Sequence, residues 1–169
     1  MELKKYITNY NDFPKKGIIF RDVLAILQEP DIFNELILNM SKADLFRNAD
    51  AIVSIDARGF LFGAAISLKT SKPLIVARKI GKLPGELVTR SYELEYGKNT
   101  LCIQKKSVEK YKSFAIVDDL LATGGTVKCV FEILKMLEKD VTGLSVVIEL
   151  EELKGRMKLP FKIDSQLII

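Results

Sequence analysis

The chain has 169 residues, 48% of them hydrophobic, which predicts a single domain over residues 1–169 with a substantial core. No apolar run approaches the roughly 20 residues of a membrane span, and the residues after Met1 lead into no signal-peptide core, so we expect a cytoplasmic protein without membrane contact. With two cysteines and no histidine, the sequence excludes a histidine-based triad and argues against a zinc site. The net charge of +4 suggests anionic partners, but the basic residues are scattered along the chain, so we expect no nucleic-acid partner.

Short apolar runs rich in β-branched residues predict strands, in chain order Ala51–Ile55, Pro73–Ala77, Phe114–Val117 and Leu144–Leu150. Apolar residues at helical spacing fill the intervals between them, with stripes from Ile32 to Met40 and from Val127 to Leu137 and a segment apolar on all sides around Phe60–Leu68. Strands that alternate with helices predict an α/β fold with an open, mainly parallel sheet flanked by helices.

The segment Glu86–Lys106 breaks this alternation. Its apolar and polar residues alternate singly, and the sequence Gly-Lys-Asn at positions 97–99 is typical of a turn. We predict an antiparallel excursion from the sheet that is exposed and mobile.

Two adjacent carboxylates and a glycine turn follow the third predicted strand. Asp118 and Asp119 come directly after Phe114–Val117, and the turn that leads into the next helix consists of Ala122, Thr123, Gly124, Gly125 and Thr126. Ligands of open α/β sheets bind beyond the carboxyl ends of the strands, and the N–H groups of a glycine turn at a helix N-terminus hold anions. The pattern predicts a phosphate on the turn and its ribose hydroxyls on the aspartates. The alternative is that one aspartate only caps the helix.

The stretch Val117–Thr126, VDDLLATGGT, resembles the phosphoribosyl-diphosphate motif of type I phosphoribosyltransferases. Further stretches resemble the adenine-specific members of that family, namely Phe13–Asp22, Ala57–Gly63, Arg78–Gly85 and Tyr92–Gly97. The resemblance implies the type I fold with a small hood and a mobile lid, and the transfer of phosphoribosyl from 5-phosphoribosyl-1-diphosphate to N9 of adenine. The implied products are AMP and diphosphate, the implied cofactor is Mg²⁺ carried mainly by the substrate, and the implied assembly is a homodimer.

Two basic segments are candidates for binding the diphosphate. Arg58 and Gly59 follow the first predicted strand, and a guanidinium matches the fork geometry of phosphate oxygens. Three further cations follow the second predicted strand and repel one another unless an anion lies between them, namely Arg78, Lys79 and Lys82. The alternatives are a surface arginine beside a helix start and a solvated basic turn. The resemblance implies a cis peptide before Ala57 and basic residues that act across a dimer interface.

A base pocket is predicted from the segment before the first helix. Ile19, Phe20 and Arg21 supply a ring that can stack on adenine and backbone groups that can bind its edge, and Leu120 forms the opposite wall. The alternative is that Phe20 is a plain core residue.

Glu95 and Tyr96 lie on the predicted lid. A lid would exclude water from an oxocarbenium-like transition state, and Glu95 would transfer the proton on the imidazole side of adenine as a general acid/base. The alternative is a solvent-exposed glutamate on a hairpin. Two other functions are compatible with the sequence. A transferase for hypoxanthine or guanine would need a different base-binding segment, and a regulator that senses 5-phosphoribosyl-1-diphosphate would typically carry an added DNA-binding segment.

Overall fold

The predicted strands form the centre of a mainly parallel sheet. The computed structural model describes residues 2–94 and 97–169. The strands are β1 (Thr8–Asn11), β2 (Ile19–Asp22), β3 (Ala51–Ile55), β4 (Leu74–Lys79), β5 (Leu87–Leu94), β6 (Gly97–Gln104), β7 (Ser113–Leu121), β8 (Asp140–Glu149) and β9 (Ile163–Ile168). The helices are α1 (Pro30–Ser41), α2 (Asp44–Arg47), α3 (Gly59–Thr70), α4 (Lys105–Val108) and α5 (Gly125–Met136). Short 3₁₀ turns span Leu3–Tyr6, Leu24–Gln28, Glu151–Leu153 and Gly155–Lys158.

Among the described residues, the main sheet has seven strands in the order β5-β6-β4-β3-β7-β8-β9. β3 is parallel to β4 and β7, and β8 is parallel to β7 and β9. β6 is antiparallel to both β4 and β5. β1 and β2 form a separate antiparallel pair, which we call the hood. The predicted α/β class with a mainly parallel sheet is confirmed.

The central strands are apolar on both faces because helices cover both. The side chains of Ala51, Val53 and Ile55 in β3 join a core cluster that includes α5, whereas Ile52 joins a second cluster that includes α1 and α3. Neighbouring residues of a strand point to opposite faces, so a strand covered on both sides needs a continuous apolar run. No helix in residues 2–94 and 97–169 is long and apolar enough to cross a membrane.

Helix α3 passes unusually close to β3, and Gly63 makes this approach possible. A Cβ atom at Gly63 would lie 2.3 Å from the Ser54 Oγ and 2.5 Å from its Cβ. Ser54 is fully buried, so neither residue could move aside without separating helix from strand. The close contact brings the N-terminus of α3 against the carboxyl end of β7, where a Cβ at Gly59 would lie 2.7 Å from Asp118 Oδ1.

Several strands are longer than the apolar runs that predicted them. β4 continues to Lys79 because Arg78 and Lys79 pair with β6. β7 continues to Leu121, and not only to Val117, because its ladder with β8 extends that far, and β8 begins already at Asp140. The predicted ends of these three strands were therefore wrong, because backbone hydrogen bonds to a neighbouring strand form regardless of side-chain polarity, whereas β3 spans Ala51–Ile55 as predicted.

The predicted excursion at Glu86–Lys106 is part of the main sheet. β5 and β6 are antiparallel as predicted, but β6 pairs with β4, so the two strands form one edge of the sheet. Leu101, Cys102 and Ile103 are at most 1% exposed, and the prediction of an exposed excursion was wrong for them. Residues 97–99, predicted as a turn, lie within β6. The physical reason is that the end of β4 extends past its ladder with β3 and takes β6 as its partner.

Sequence patterns did not predict β1, β2 or β9. The four residues of β1 are all exposed, and β9 is only half-buried along most of its length. Such strands carry too few apolar residues to stand out, and they form because a partner strand offers free backbone groups. β9 pairs in parallel with β8 at the edge of the sheet opposite β5.

Candidate active site

A pair of aspartates lies side by side near the carboxyl end of β7. Asp118 and Asp119 are 8% and 6% exposed. The ladder of β7 with β3 ends at Val117, whereas its ladder with β8 continues to Leu121, so both carboxylates occupy the point where one neighbouring strand has ended. Asp118 Oδ1 accepts a hydrogen bond of 2.9 Å from the backbone N–H of Asp119. Helix α5 has no side-chain cap, so the alternative that one aspartate serves as a helix cap is wrong.

Burial raises the pKa of both carboxyl groups above the ordinary value of 3.8. At Asp118 the repulsion from Asp119 raises the pKa further. At Asp119 the Arg58 guanidinium opposes the rise in pKa. Because hydrogen bonds to a carboxylate favour its charged form, hydroxyl donors from a ligand would relieve the cost of keeping this pair ionised.

The turn between β7 and α5 presents backbone groups instead of side chains. Gly124 has a φ of +81°, a left-handed conformation that glycine adopts without steric cost. Helix α5 begins at the next residue and runs for 12 residues, so its dipole and first N–H groups point at the turn. This geometry is suited to one phosphate group.

Arg58 connects the aspartate pair to the hood. Its Nη2 lies 2.8 Å from Asp119 Oδ2, and its Nη1 donates to the backbone carbonyl oxygen of Arg21 over 3.5 Å. Its guanidinium carbon lies 4.7 Å from the centre of the Phe20 ring, within the range of a cation–π contact. Asp119 Oδ2 has no hydrogen-bond partner among the described residues. Its contact with Arg58 is therefore an ion pair whose geometry does not make a hydrogen bond.

Arg58, the aspartate pair and the glycine turn line one cleft of ≈ 180 Å³. All five residues of the predicted phosphate turn contribute to its wall, as does Leu120. A larger cavity of ≈ 610 Å³ lies at the amino ends of the parallel strands and is lined by residues such as Arg47, Lys72 and Lys110. It contains none of the predicted site residues. Of these two cavities, the smaller one is lined by the buried carboxylates, the glycine turn at the start of α5 and Arg58 together. We call it the cleft, and its side chains make it the candidate site although its volume is smaller.

The predicted base pocket lies on the hood side of Arg58. Phe20 is half-buried and packs edge-on against Phe13, with 5.2 Å between ring centres. It belongs to neither core cluster, so the alternative of a plain core residue is wrong. Within the described chain, β2 pairs only with β1, which leaves backbone donors and acceptors free along its other edge. The Arg21 carbonyl oxygen lies on this edge, where it accepts the hydrogen bond from Arg58.

Comparisons with known proteins agree with the chemistry of this cleft. Residues 22–159 match the family model described as a phosphoribosyl transferase domain. An adenine phosphoribosyltransferase of Prochlorococcus marinus (strain MIT 9211) is 63% identical over 166 residues, which cover 98% of this chain and 96% of that protein. The chain belongs to the adenine phosphoribosyltransferase family. The predicted family and the enzyme class, a pentosyltransferase, are confirmed.

Crystal structures of adenine phosphoribosyltransferases share the fold. The enzyme of Thermoanaerobacter pseudethanolicus superposes with a TM-score of 0.94 at 40% identity, covering 99% of this chain and 98% of that one. The enzyme of Saccharomyces cerevisiae, solved in complex with an imino-altritol bisphosphate and adenine, superposes with a TM-score of 0.90 at 38% identity, covering 97% and 96%. The predicted type I phosphoribosyltransferase fold is confirmed.

The basic residues that we predicted to bind diphosphate are only partly gathered at the cleft. Arg78 Nε donates a hydrogen bond of 2.9 Å to Asp56 Oδ2, next to the segment that carries Arg58. The peptide bond between Asp56 and Ala57 is cis, as the resemblance to adenine phosphoribosyltransferases implied. Lys79 and Lys82 are exposed and do not line the cleft; Lys79 pairs with β6 in the sheet, and Lys82 lies beyond the end of β4.

Tyr92 and Gly155 lie at the site but were not predicted from the sequence as site residues. The Tyr92 hydroxyl on β5 lies 3.3 Å from Thr126 Oγ1, and the Gly155 backbone contacts the phosphate turn. The only signal for Tyr92 was the resemblance of its segment to adenine phosphoribosyltransferases, and Gly155 had no local signal because it reaches the turn from a distant part of the chain. Glu95 and Tyr96, predicted as catalytic, lie outside the described residues.

Proposed function

We propose that the chain transfers the phosphoribosyl group of 5-phosphoribosyl-1-diphosphate to N9 of adenine, forming AMP and diphosphate in purine salvage. The observation that carries this proposal is the cleft in which buried Asp118 and Asp119, the glycine turn and Arg58 meet. The family of the chain supports adenine as the acceptor. A coupled assay with adenine, 5-phosphoribosyl-1-diphosphate and Mg²⁺ tests it, and AMP is the expected product. Binding of the diphosphate substrate without turnover would instead support a regulator.

In this reaction, Asp118 and Asp119 accept hydrogen bonds from the two ribose hydroxyls. The 5′-phosphate lies on the turn Ala122–Thr126, where backbone N–H groups and the threonine hydroxyls donate to it. Both groups belong to one continuous stretch of chain, so the ribose and its phosphate are positioned by a single rigid connection between β7 and α5. Such positioning lowers the entropic part of the barrier.

Arg58 changes its partner during binding. With the geometry described here it pairs with Asp119 and stacks on Phe20, and both contacts lie where ribose and adenine bind in our proposal. Ribose hydroxyls replace the guanidinium at Asp119, and adenine replaces it at Phe20. The released guanidinium, together with the Gly59 backbone, binds the diphosphate. Arg78, Lys79 and Lys82 add positive charge, some of it across a dimer interface.

Glu95 exchanges the proton on the imidazole side of adenine, and Tyr96 closes the lid beside it.

Adenine stacks on Phe20 with Leu120 as the opposite wall, and backbone groups of Ile19–Arg21 bind its edge. Mg²⁺ carried by the substrate diphosphate would supply positive charge that stabilises the leaving group. Among residues 2–92 and 99–169, whose side chains the structure describes, no three carboxylate or cysteine side chains are grouped so as to hold a metal ion, and in our proposal the two aspartates of the cleft bind the ribose. We further propose that residues 1–169 form a single domain and that the protein is cytoplasmic.

The chain forms a homodimer through the outer face of α3. Leu61 and Leu68 on this helix are 42% and 85% exposed, and Ile80 beyond β4 is 60% exposed. Leu61 and Leu68 are seven residues apart and lie on one side of the helix, and the Leu61 N–H donates a hydrogen bond to the Arg58 carbonyl oxygen at the start of the helix. Light scattering is expected to give twice the chain mass of 19.0 kDa, and Leu68→Glu should shift the protein toward the monomer. A monomeric wild-type chain would contradict this proposal.

Replacement of Gly124 by alanine should weaken phosphate binding more than folding. The new Cβ would lie 2.9 Å from the Gly155 carbonyl oxygen at a φ of +81°, so the turn must shift. We expect about 10- to 100-fold lower affinity for AMP, the size of effect that small misplacements produce. Calorimetric titration measures it. Gly17→Ala is the matched control, because Gly17 has a φ of +87° and open space around it. Equal AMP affinity of Gly124→Ala and wild type would contradict a phosphate on this turn.

A further inference from the structure

The phosphate turn is backed by a second segment of chain that no part of the reaction scheme uses. A Cβ on Gly155 would lie 2.2 Å from the Ala122 carbonyl oxygen and 3.0 Å from the Gly124 nitrogen. Conversely, a Cβ on Gly124 would lie 2.9 Å from the Gly155 carbonyl oxygen. Two glycine backbones are therefore in direct contact, and the position of Gly155 limits where the turn can lie.

Arg156 fixes the position of this segment. Its Nε and Nη2 donate to the two carboxylate oxygens of Glu149 over 2.9 Å and 2.5 Å, in a bidentate pair. Its Nη1 donates to the backbone carbonyl oxygen of Ile163 over 3.1 Å, and the Ser165 hydroxyl donates to Glu149 as well. The residue next to Gly155 is thus bound to β8 and β9 at once.

Glu149 is the buried residue to which both Arg156 and Ser165 donate hydrogen bonds. It is 4% exposed and is the register partner of Leu121, the residue that precedes the phosphate turn. Hydrogen bonds from Arg156 lower the pKa of Glu149 despite its burial, so the pair is ionised at neutral pH. Bidentate arginine–carboxylate pairs add geometric specificity as well as energy. The network connects the end of β8 to the back of the turn by a short, rigid path.

We propose that Arg156, held by Glu149, is a positioning residue for the 5′-phosphate of the substrate, acting through Gly155. This inference rests on the proposed function, since it requires a phosphate on the turn Ala122–Thr126. Arg156 need not touch the ligand. It keeps Gly155 against the turn, so that the N–H groups of Gly124 and Gly125 stay aligned for the phosphate.

The test compares binding of AMP with binding of adenosine, which lacks the phosphate, in wild type and Arg156→Met. We expect AMP affinity to fall by about 10- to 100-fold while adenosine affinity stays within about twofold. Lys158→Met is the matched control, because it removes one positive charge from an exposed position of the same 3₁₀ turn and should leave both affinities unchanged. Gly155→Ala should reproduce the loss without any change in charge.

A double variant separates positioning from stability. Arg156→Met leaves Glu149 as an unpaired buried charge, which lowers the melting temperature. Adding Glu149→Gln removes that charge and should recover most of the melting temperature, but not the AMP affinity. A ratio of AMP to adenosine affinity equal to wild type in Arg156→Met or in the double variant would overturn the inference while leaving the proposed function intact. A wild-type chain that forms no AMP from adenine would overturn both.

Discussion

Adenine should be preferred over hypoxanthine by about 10⁴-fold in kcat/KM, the discrimination reached by sites that hydrogen-bond a substrate edge. Adenine presents a donor at its 6-amino group and an acceptor at N1, and hypoxanthine reverses both. The free edge of β2 offers backbone groups at Ile19 and Arg21, and a carbonyl or N–H group cannot exchange its role. The wrong base leaves two mismatched polar pairs, at about 1–3 kcal/mol for each group.

Competition kinetics with adenine, hypoxanthine and guanine measure this preference. Arg21→Ala is the informative variant, because it removes the side chain and keeps the carbonyl group that faces Arg58. Its selectivity should equal that of wild type if the main chain binds the base. Comparable efficiency of wild type with a 6-oxopurine would assign the chain to the hypoxanthine or guanine enzymes.

Asp118→Asn should lower activity and raise stability at the same time. The loss of a charge-assisted hydrogen bond to ribose is worth about 1.5–3 kcal/mol, or about 10- to 150-fold in kcat/KM. The amide keeps an oxygen that can accept from the Asp119 N–H, so the fold should persist. The substitution also removes the buried charge of Asp118. In the wild-type protein this charge is destabilising, because it is desolvated and lies beside the charge of Asp119.

The gain in stability should depend on pH. Because the pKa of Asp118 is raised on folding, the folded wild type binds more protons than the unfolded chain above the ordinary value of 3.8, and its stability falls as pH rises through the raised pKa. The Asp118→Asn variant does not lose stability in this way, because residue 118 then has no group that titrates. Its advantage in melting temperature should be greatest above the raised pKa and should shrink in acid, as calorimetry between about pH 4 and about pH 8 would measure.

Two further variants make this result specific. Asp119→Asn should not give the same gain, because Asp119 holds the ion pair with Arg58 and its removal leaves that cation unpaired. Asp31→Asn replaces an exposed aspartate of α1 and should change neither activity nor the pH dependence. If Asp118→Asn retains wild-type activity, the aspartate does not hold the ribose.

The sequence by itself determined the elements and motifs that are local in the chain. The interior of β3, the helices α1, α3 and α5, and the succession of aspartates and glycine turn were predicted at the right positions. Periodicity of apolar residues and the backbone freedom of glycine act within a few residues, so they are visible without a structure. The same locality explains why the cleft could be predicted from Val117–Thr126: the carboxylates and the turn are neighbours in sequence as well as in space.

Only the tertiary structure decided the features that join distant segments. The carboxyl ends of β4 and β7 were set by the neighbouring strands β6 and β8, because backbone hydrogen bonds continue wherever a partner offers free groups. The meeting of Arg58 with Phe20 and Asp119 joins the hood, the start of α3 and the end of β7. The support of the phosphate turn by Gly155 depends on a contact with Gly124, which is 31 residues away in the sequence. The two backbones can touch because neither glycine has a Cβ atom.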